Sequence, residues 1–111
     1  MLKTDAEIAA ITTKFVEAVK NTIPVEQVIL FGSYAKGNPH AYSDIDLAVI
    51  SPIFGENPLE DRTRLYRTIF TNKLDSLIEP HPFSPSDLDE PLSFLTEVVR
   101  TGKVIYQKKM L

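Results

Sequence analysis

The segment Ser43–Ser51, SDIDLAVIS, constrains this chain more than any other. Ile45, Leu47 and Val49 alternate with Ala48 and Ile50, so its second half is apolar towards both sides, as in a strand at the centre of a covered sheet. Yet the segment opens with Asp44 and Asp46, and aspartate is depleted from strands and rarely buried without a partner. Residues i and i+2 of a strand share a face. The two carboxylates therefore stand side by side, about 6.6 Å apart along an extended chain. Carboxylates this close repel unless a cation joins them. Hard divalent ions are the natural partners of oxygen ligands, and Mg²⁺ commonly takes one or two carboxylates together with substrate phosphates.

Upstream, VEQVILFG (25–32) is a short β-rich run stopped by glycine, giving a first strand, and Ser33 can open a short helix after it. Exposed backbone N–H groups at such a turn favour an anion, and glycine lets a phosphate approach the backbone. Either feature alone reads as an ordinary turn, with Ser43 and Asp44 capping backbone groups. Together, a phosphate cradle and a metal clamp separated by about ten residues point to phosphoryl or nucleotidyl transfer.

The other elements follow from periodicity. Thr4 and Glu7 form a capping box, and Ile8, Ile11, Phe15, Val16 and Val19 recur at helical spacing, predicting a helix over 5–21. PIFGENP (52–58) is a loop. A second helix is expected over 58–73, with Leu59, Arg62, Leu65, Tyr66, Ile69 and Phe70 near one face. DSLIEPHPFS (75–84) holds two prolines and reads as an edge strand. A third helix is expected from Asp87 to about 101, with Leu88, Leu92, Leu95, Val98 and Val99 on its apolar stripe and Gly102 at its C′ position. KVIYQ closes the pattern as a last strand. The order predicts an α/β or α+β chain, a small mixed sheet flanked by helices, as one domain over 1–111.

Bulk properties exclude several classes. The chain has no cysteine, which removes disulfides, thiolate metal sites and cysteine nucleophiles. No apolar run approaches the roughly 20 residues of a membrane span. The opening MLKTDAEIAA lacks the basic and apolar regions of a signal peptide. A cytoplasmic setting is expected. The net charge is −3 and the basic cluster QKKM sits at the far end, so binding to long nucleic acid is not expected.

GSYAKGNPHAYSDIDLAVI resembles the signature of the DNA polymerase β-like nucleotidyltransferases, and in particular the minimal nucleotidyltransferase (MNT) group. That group has Gly-Ser-x-Ala-x-Gly followed by Ser-Asp-x-Asp-Leu, matched here by Gly32, Ser33, Ala35, Gly37, Ser43, Asp44, Asp46 and Leu47. The resemblance implies an ATP-dependent transferase with two Mg²⁺ ions, Asp44 and Asp46 as metal ligands, and Gly32 and Ser33 on the β- and γ-phosphates. It also implies a third acidic residue on a neighbouring strand, serving as ligand and as base for the incoming hydroxyl. Asp75 and Glu79 are the candidates, about 13 Å apart along an extended strand, so only one can reach a metal pair about 4 Å across. Glu79, in mid-strand, is favoured over Asp75 at the strand start. Lys36 can meet a triphosphate oxygen as a point charge. His81 shares the parity of Glu79, but a lone strand histidine is more often a surface residue; His40, Arg62 and Arg67 are read as facing solvent or a partner. Tyr34 and Tyr42 flank the motif.

Larger relatives carry extra domains that hold the acceptor, and this chain ends soon after the minimal core. MNT proteins are often paired with an all-helical HEPN-domain toxin, and some act as antitoxins by transferring AMP to it. The resemblance therefore implies a protein adenylyltransferase-like enzyme with a helical HEPN-type partner. Two alternatives stand beside it: a weakly catalytic binding module that inhibits its partner stoichiometrically, favoured by glutamate in place of the family's aspartate, and a small-molecule nucleotidyltransferase.

Overall fold

The structure, a computed structural model, describes residues 2–109. Its elements in chain order are α1 (Asp5–Lys20), β1 (Gln27–Phe31), α2 (Ser33–Lys36), β2 (Ile45–Ile50), α3 (Pro58–Thr71), β3 (Ile78–Phe83), a 3₁₀ turn at Pro85–Asp89, α4 (Phe94–Thr101) and β4 (Lys103–Gln107). The four strands form one sheet in the order β3-β2-β1-β4. β1 runs antiparallel to both β2 and β4, whereas β2 and β3, joined through α3, are parallel. This is the mixed α+β sheet expected from the element order.

The sheet separates two apolar layers. Val28, Leu30, Ile45, Leu47 and Val49 pack with Phe15, Val16 and Val19 of α1 and with Leu65 and Ile69 of α3. On the other side Ile29, Phe31, Ala48 and Ile50 pack with Leu95 and Val98 of α4. Residues 47–50 are fully buried, as the two-sided apolar pattern requires of a strand inside the sheet. α1 begins as its sequence dictates: Glu7 N donates to Thr4 Oγ1 at 3.1 Å and Thr4 N to Glu7 Oε1 at 2.9 Å.

β3 is an edge strand, and its prolines are placed by backbone direction. The carbonyls of Leu77 and Phe83 accept from Ile45 N and Ser51 N at 2.8 and 3.1 Å. Backbone groups of alternate residues point the same way, so the odd positions of β3 face β2. Pro80 and Pro82 fall where an N–H would have pointed outward, and no ladder bond is lost.

Four expectations need correction. The helix expected from Asp87 starts only at Phe94, because Pro91 forces Glu90 out of the helical region (φ −95°, ψ 108°), leaving a 3₁₀ turn and a new cap at Ser93, whose Oγ accepts from Leu95 N at 3.0 Å. Leu88 and Leu92, counted on the apolar stripe, are exposed, Leu92 completely, and Val99 is also exposed. Gly102 is not a left-handed cap: its backbone is extended (φ −90°, ψ 179°), and glycine is needed because a Cβ would lie 2.6 Å from Val98 O and from Ile29 Cγ2. On α3 the buried positions are Asp61, Leu65, Thr68 and Ile69, not Leu59, Tyr66 or Phe70, which are exposed. The buried Asp61 has a partner, accepting from Gly55 N at 2.9 Å, and so ties the 52–58 loop to the helix.

Candidate active site

The site forms where β1 ends. Gly32 adopts φ +74°, ψ −154°, a conformation close to glycine-only, and its carbonyl accepts from Ala35 N and Lys36 N at 3.1 and 3.0 Å to start α2. Gly37 ends that single turn in the left-handed region at φ +79°. The following loop closes on itself, His40 N donating to Ser43 Oγ at 2.6 Å and Ser43 N to His40 O at 3.1 Å. Asp44 then enters β2 exposed, one residue before the strand begins.

The loop returns the chain so that Asp46 lies opposite Phe31 in one register and opposite Glu79 in the other. Gly32 is seated on the Asp46 side chain, for a Cβ there would lie 3.2 Å from Asp46 Cγ and within contact of Oδ2. The bare turn and Asp46 are thus one surface, brought together by antiparallel pairing of β1 with β2. His81 adds the third wall: its Nε2 is 3.2 Å from Asp46 Oδ1 and 3.8 Å from Glu79 Oε1. Asp46, Glu79 and His81 each offer one ligand atom, all within 4.8 Å of one another. The imidazole stands edge-on to Phe31 with ring centres 4.9 Å apart, and Phe94 packs against Phe31 at 5.7 Å.

Electrostatically the cluster is short of positive charge. Burial pushes the Glu79 carboxyl above its ordinary range, helped by a hydrogen bond with Asp44 and by the charges of Asp46 and Asp44, and opposed by His81. A raised carboxyl contributes stability that is full below the ordinary carboxylate range and is lost as pH rises through the raised value. Glu79→Gln is therefore expected to melt higher than the parent at pH 7 in EDTA, with the difference vanishing below about pH 4. Equal or lower melting of the variant at pH 7 would contradict the reading. Such repulsion is what a divalent cation relieves, and oxygen donors beside a cradle that a Cβ would fill suit one bound together with phosphates.

The remaining sequence candidates separate clearly. Asp75 precedes β3 rather than lying on it; its Oδ1 accepts from Leu77 N at 2.8 Å and its Oδ2 pairs with Lys3 at 3.2 Å. The turn breaks the strand parity that had linked it to Glu79. Ser33 and Lys36 open and close α2, Lys36 exposed. Tyr34 is half-buried and its hydroxyl accepts from Lys3 N at 3.3 Å, whereas Tyr42 and the side chain of His40 are exposed. The sequence reading undervalued His81, although its place two residues after Glu79 was the signal. It also missed a cleft of about 410 Å³ beside His81, bounded by Arg62 and Leu59 of α3 and by Phe83 and Phe94.

A Gly-Ser turn seated on Asp46, with Glu79 in register on the adjoining strand, is the geometry at the centre of a nucleotidyltransferase domain. The model of the family described as polymerase beta, nucleotidyltransferase matches residues 13–110, and the chain belongs to that family. No curated protein matches it significantly. Among solved structures, a provisionally assigned nucleotidyltransferase from Sulfolobus solfataricus superposes with a TM-score of 0.70 at 19% identity, covering 91% of this chain and 81% of the other. A chain of a toxin–antitoxin complex with AMP-PNP gives 0.62 at 26% identity, over 87% and 73% of the two chains. A complex of tri-AMPylated Shewanella oneidensis HEPN toxin with MNT antitoxin gives 0.58 at 18% identity, over 91% and 73%. No helix among the described residues is long and apolar enough to cross a membrane.

Proposed function

We propose that this protein transfers AMP from ATP, with Mg²⁺, to a hydroxyl on a helical HEPN-type protein partner, and so acts as the antitoxin of a pair. The observation that carries the reading is the seating of Gly32 on Asp46, which sets a turn bare of side chain directly against a carboxylate cluster. The 26% identical toxin–antitoxin neighbour holding AMP-PNP supports the adenine nucleotide and the kind of partner. Asp44, Asp46 and Glu79 would hold Mg²⁺, which supplies charge neutralisation and alignment of the attacking and leaving oxygens. The Gly32-Ser33 turn would take the β- and γ-phosphates on its backbone N–H groups, with Lys36 as an exposed counter-charge.

In the transfer the acceptor hydroxyl oxygen forms a bond to the α-phosphorus, the bond from that phosphorus to the bridging oxygen of the β-phosphate breaks, and pyrophosphate leaves. The hydroxyl proton passes to Glu79, the carboxylate set in register beside Asp46. The test mixes the protein at one-tenth of the partner's concentration with Mg-ATP and follows intact partner mass. Expected is progressive gain of AMP by all of the partner, because an enzyme turns over. If the partner is silenced only at equimolar protein, without ATP and without added mass, the chain is a binding module and the proposal fails.

A further inference from the structure

The sheet register places an imidazole where the transferase reading needs only carboxylates. Parallel pairing sets Asp46 beside Glu79 and Ala48 beside His81, so His81 is the next residue of β3 on the same face. Donor atoms around a six-coordinate ion at about 2.1–2.2 Å lie about 3 Å from their neighbours. Asp46 Oδ1 and His81 Nε2 are 3.2 Å apart, a hydrogen bond that ligation would replace with little movement, and Glu79 Oε1 is 3.8 Å from the same nitrogen. The ring is held edge-on by Phe31, and the side chains of His81 and Asp46 are only about one-fifth exposed, at 20% and 21%. The nitrogen is therefore presented, not swinging in solvent.

Resting on the transferase reading for the presence of a cation between these strands, we propose that His81 Nε2 is itself a ligand of that cation and makes the site prefer Mn²⁺ to Mg²⁺. Mn²⁺, the weakest-binding of the first-row divalent ions, shares the oxygen preference of Mg²⁺ but accepts a nitrogen donor more readily, whereas Mg²⁺ gives up water reluctantly. One neutral nitrogen beside the carboxylates lowers the site's attraction for Mg²⁺ relative to an all-oxygen set and adds a donor that Mn²⁺ accepts. Ligation uses the neutral ring with its proton on Nδ1. The acid pair then keeps its charge for the ion instead of sharing it with the histidine.

The test uses the full chain, Mn²⁺ as the probe and His81→Asn, which keeps a polar group of moderate size beside Phe31 while replacing nitrogen by an amide. Free Mn²⁺ is read from its electron paramagnetic resonance signal, Mg²⁺ affinity by competition, and nitrogen ligation from the spin-echo modulation of bound Mn²⁺. Expected is directly coordinated nitrogen in the parent that disappears in His81→Asn, with Mn²⁺ affinity falling about tenfold or more, the scale of changes around a metal site, and Mg²⁺ affinity within about twofold. An unchanged ratio of the two affinities, or bound Mn²⁺ with no nitrogen coupling in the parent, overturns the proposal. So does a gain in affinity for both ions, which would make His81 a counter-ion of Asp46. Nitrogen-ligated Mn²⁺ without AMP transfer would sink the transferase reading alone; AMP transfer without nitrogen coupling would sink this proposal alone.

Discussion

Gly32→Ala will remove most AMP transfer while leaving the chain folded. At φ +74°, ψ −154° an alanine carries backbone strain of roughly 1–3 kcal/mol. Its methyl group would also press on the Asp46 carboxylate, 3.2 Å from Cγ. The neighbour is the end of a flexible side chain, so Asp46 swings aside before the sheet gives way, and it leaves its position against His81 and Glu79. Displacing a reacting or positioning group by about 1 Å can cost on the order of 10²-fold in rate, and a filled cradle hinders the phosphates as well. Transfer rates and thermal melts of the same preparation decide it. A parental rate in Gly32→Ala would show that the close seating of Gly32 on Asp46 has no part in catalysis.

The second large effect belongs to the acidic pair. With Asp44 and Asp46 intact, Mg-ATP at a hundredfold excess over its Kd is expected to stabilise the fold by about 2.7 kcal/mol, which is on the order of 10 °C in Tm for a domain of this size. ATP in EDTA is expected to give far less. In the Asp44→Asn, Asp46→Asn variant the difference between the two conditions should vanish and transfer should fall by at least about 10²–10³-fold, the scale set by losing a preorganised electrostatic group. The fold should persist, because Asp44 is exposed and Asp46 lies at the open end of its strand. An undiminished Mg-ATP response in that variant would remove the acidic pair from the metal site.

Much of this arrangement was legible before any coordinates. The two-sided apolar run 47–50 fixed a strand inside the sheet, the capping box fixed the start of α1, and the prolines at 80 and 82 fixed an edge. Each is a local signal with one structural answer. What was missed was one local breaker inside a periodic stripe and, beyond it, pairing between distant segments. Leu88 and Leu92 kept helical spacing, yet Pro91 between them settled the backbone locally and left both exposed. His81 looked solitary in sequence because its neighbours come from β1 and β2: only the parallel register brings it within 3.2 Å of Asp46. Glu79 was favoured over Asp75 by its mid-strand place alone; the structure adds that Asp75 is tied to Leu77 and Lys3.

The border strand carries a consequence for how any partner can approach. Of the outward-facing positions on β3, Ile78 has its N–H engaged with Asp75 O at 3.2 Å, Pro80 and Pro82 have none, and Ser84 just beyond donates to Asp87 Oδ2 at 2.9 Å. A foreign strand laid alongside would find carbonyls but no donors, and could not zip onto the sheet. The edge that bears Glu79 and His81 is thus closed to recognition by backbone and open to recognition by side chains. A protein that approaches this border therefore meets side chains and not a ladder of backbone donors, and the same prolines shield the sheet from templated aggregation.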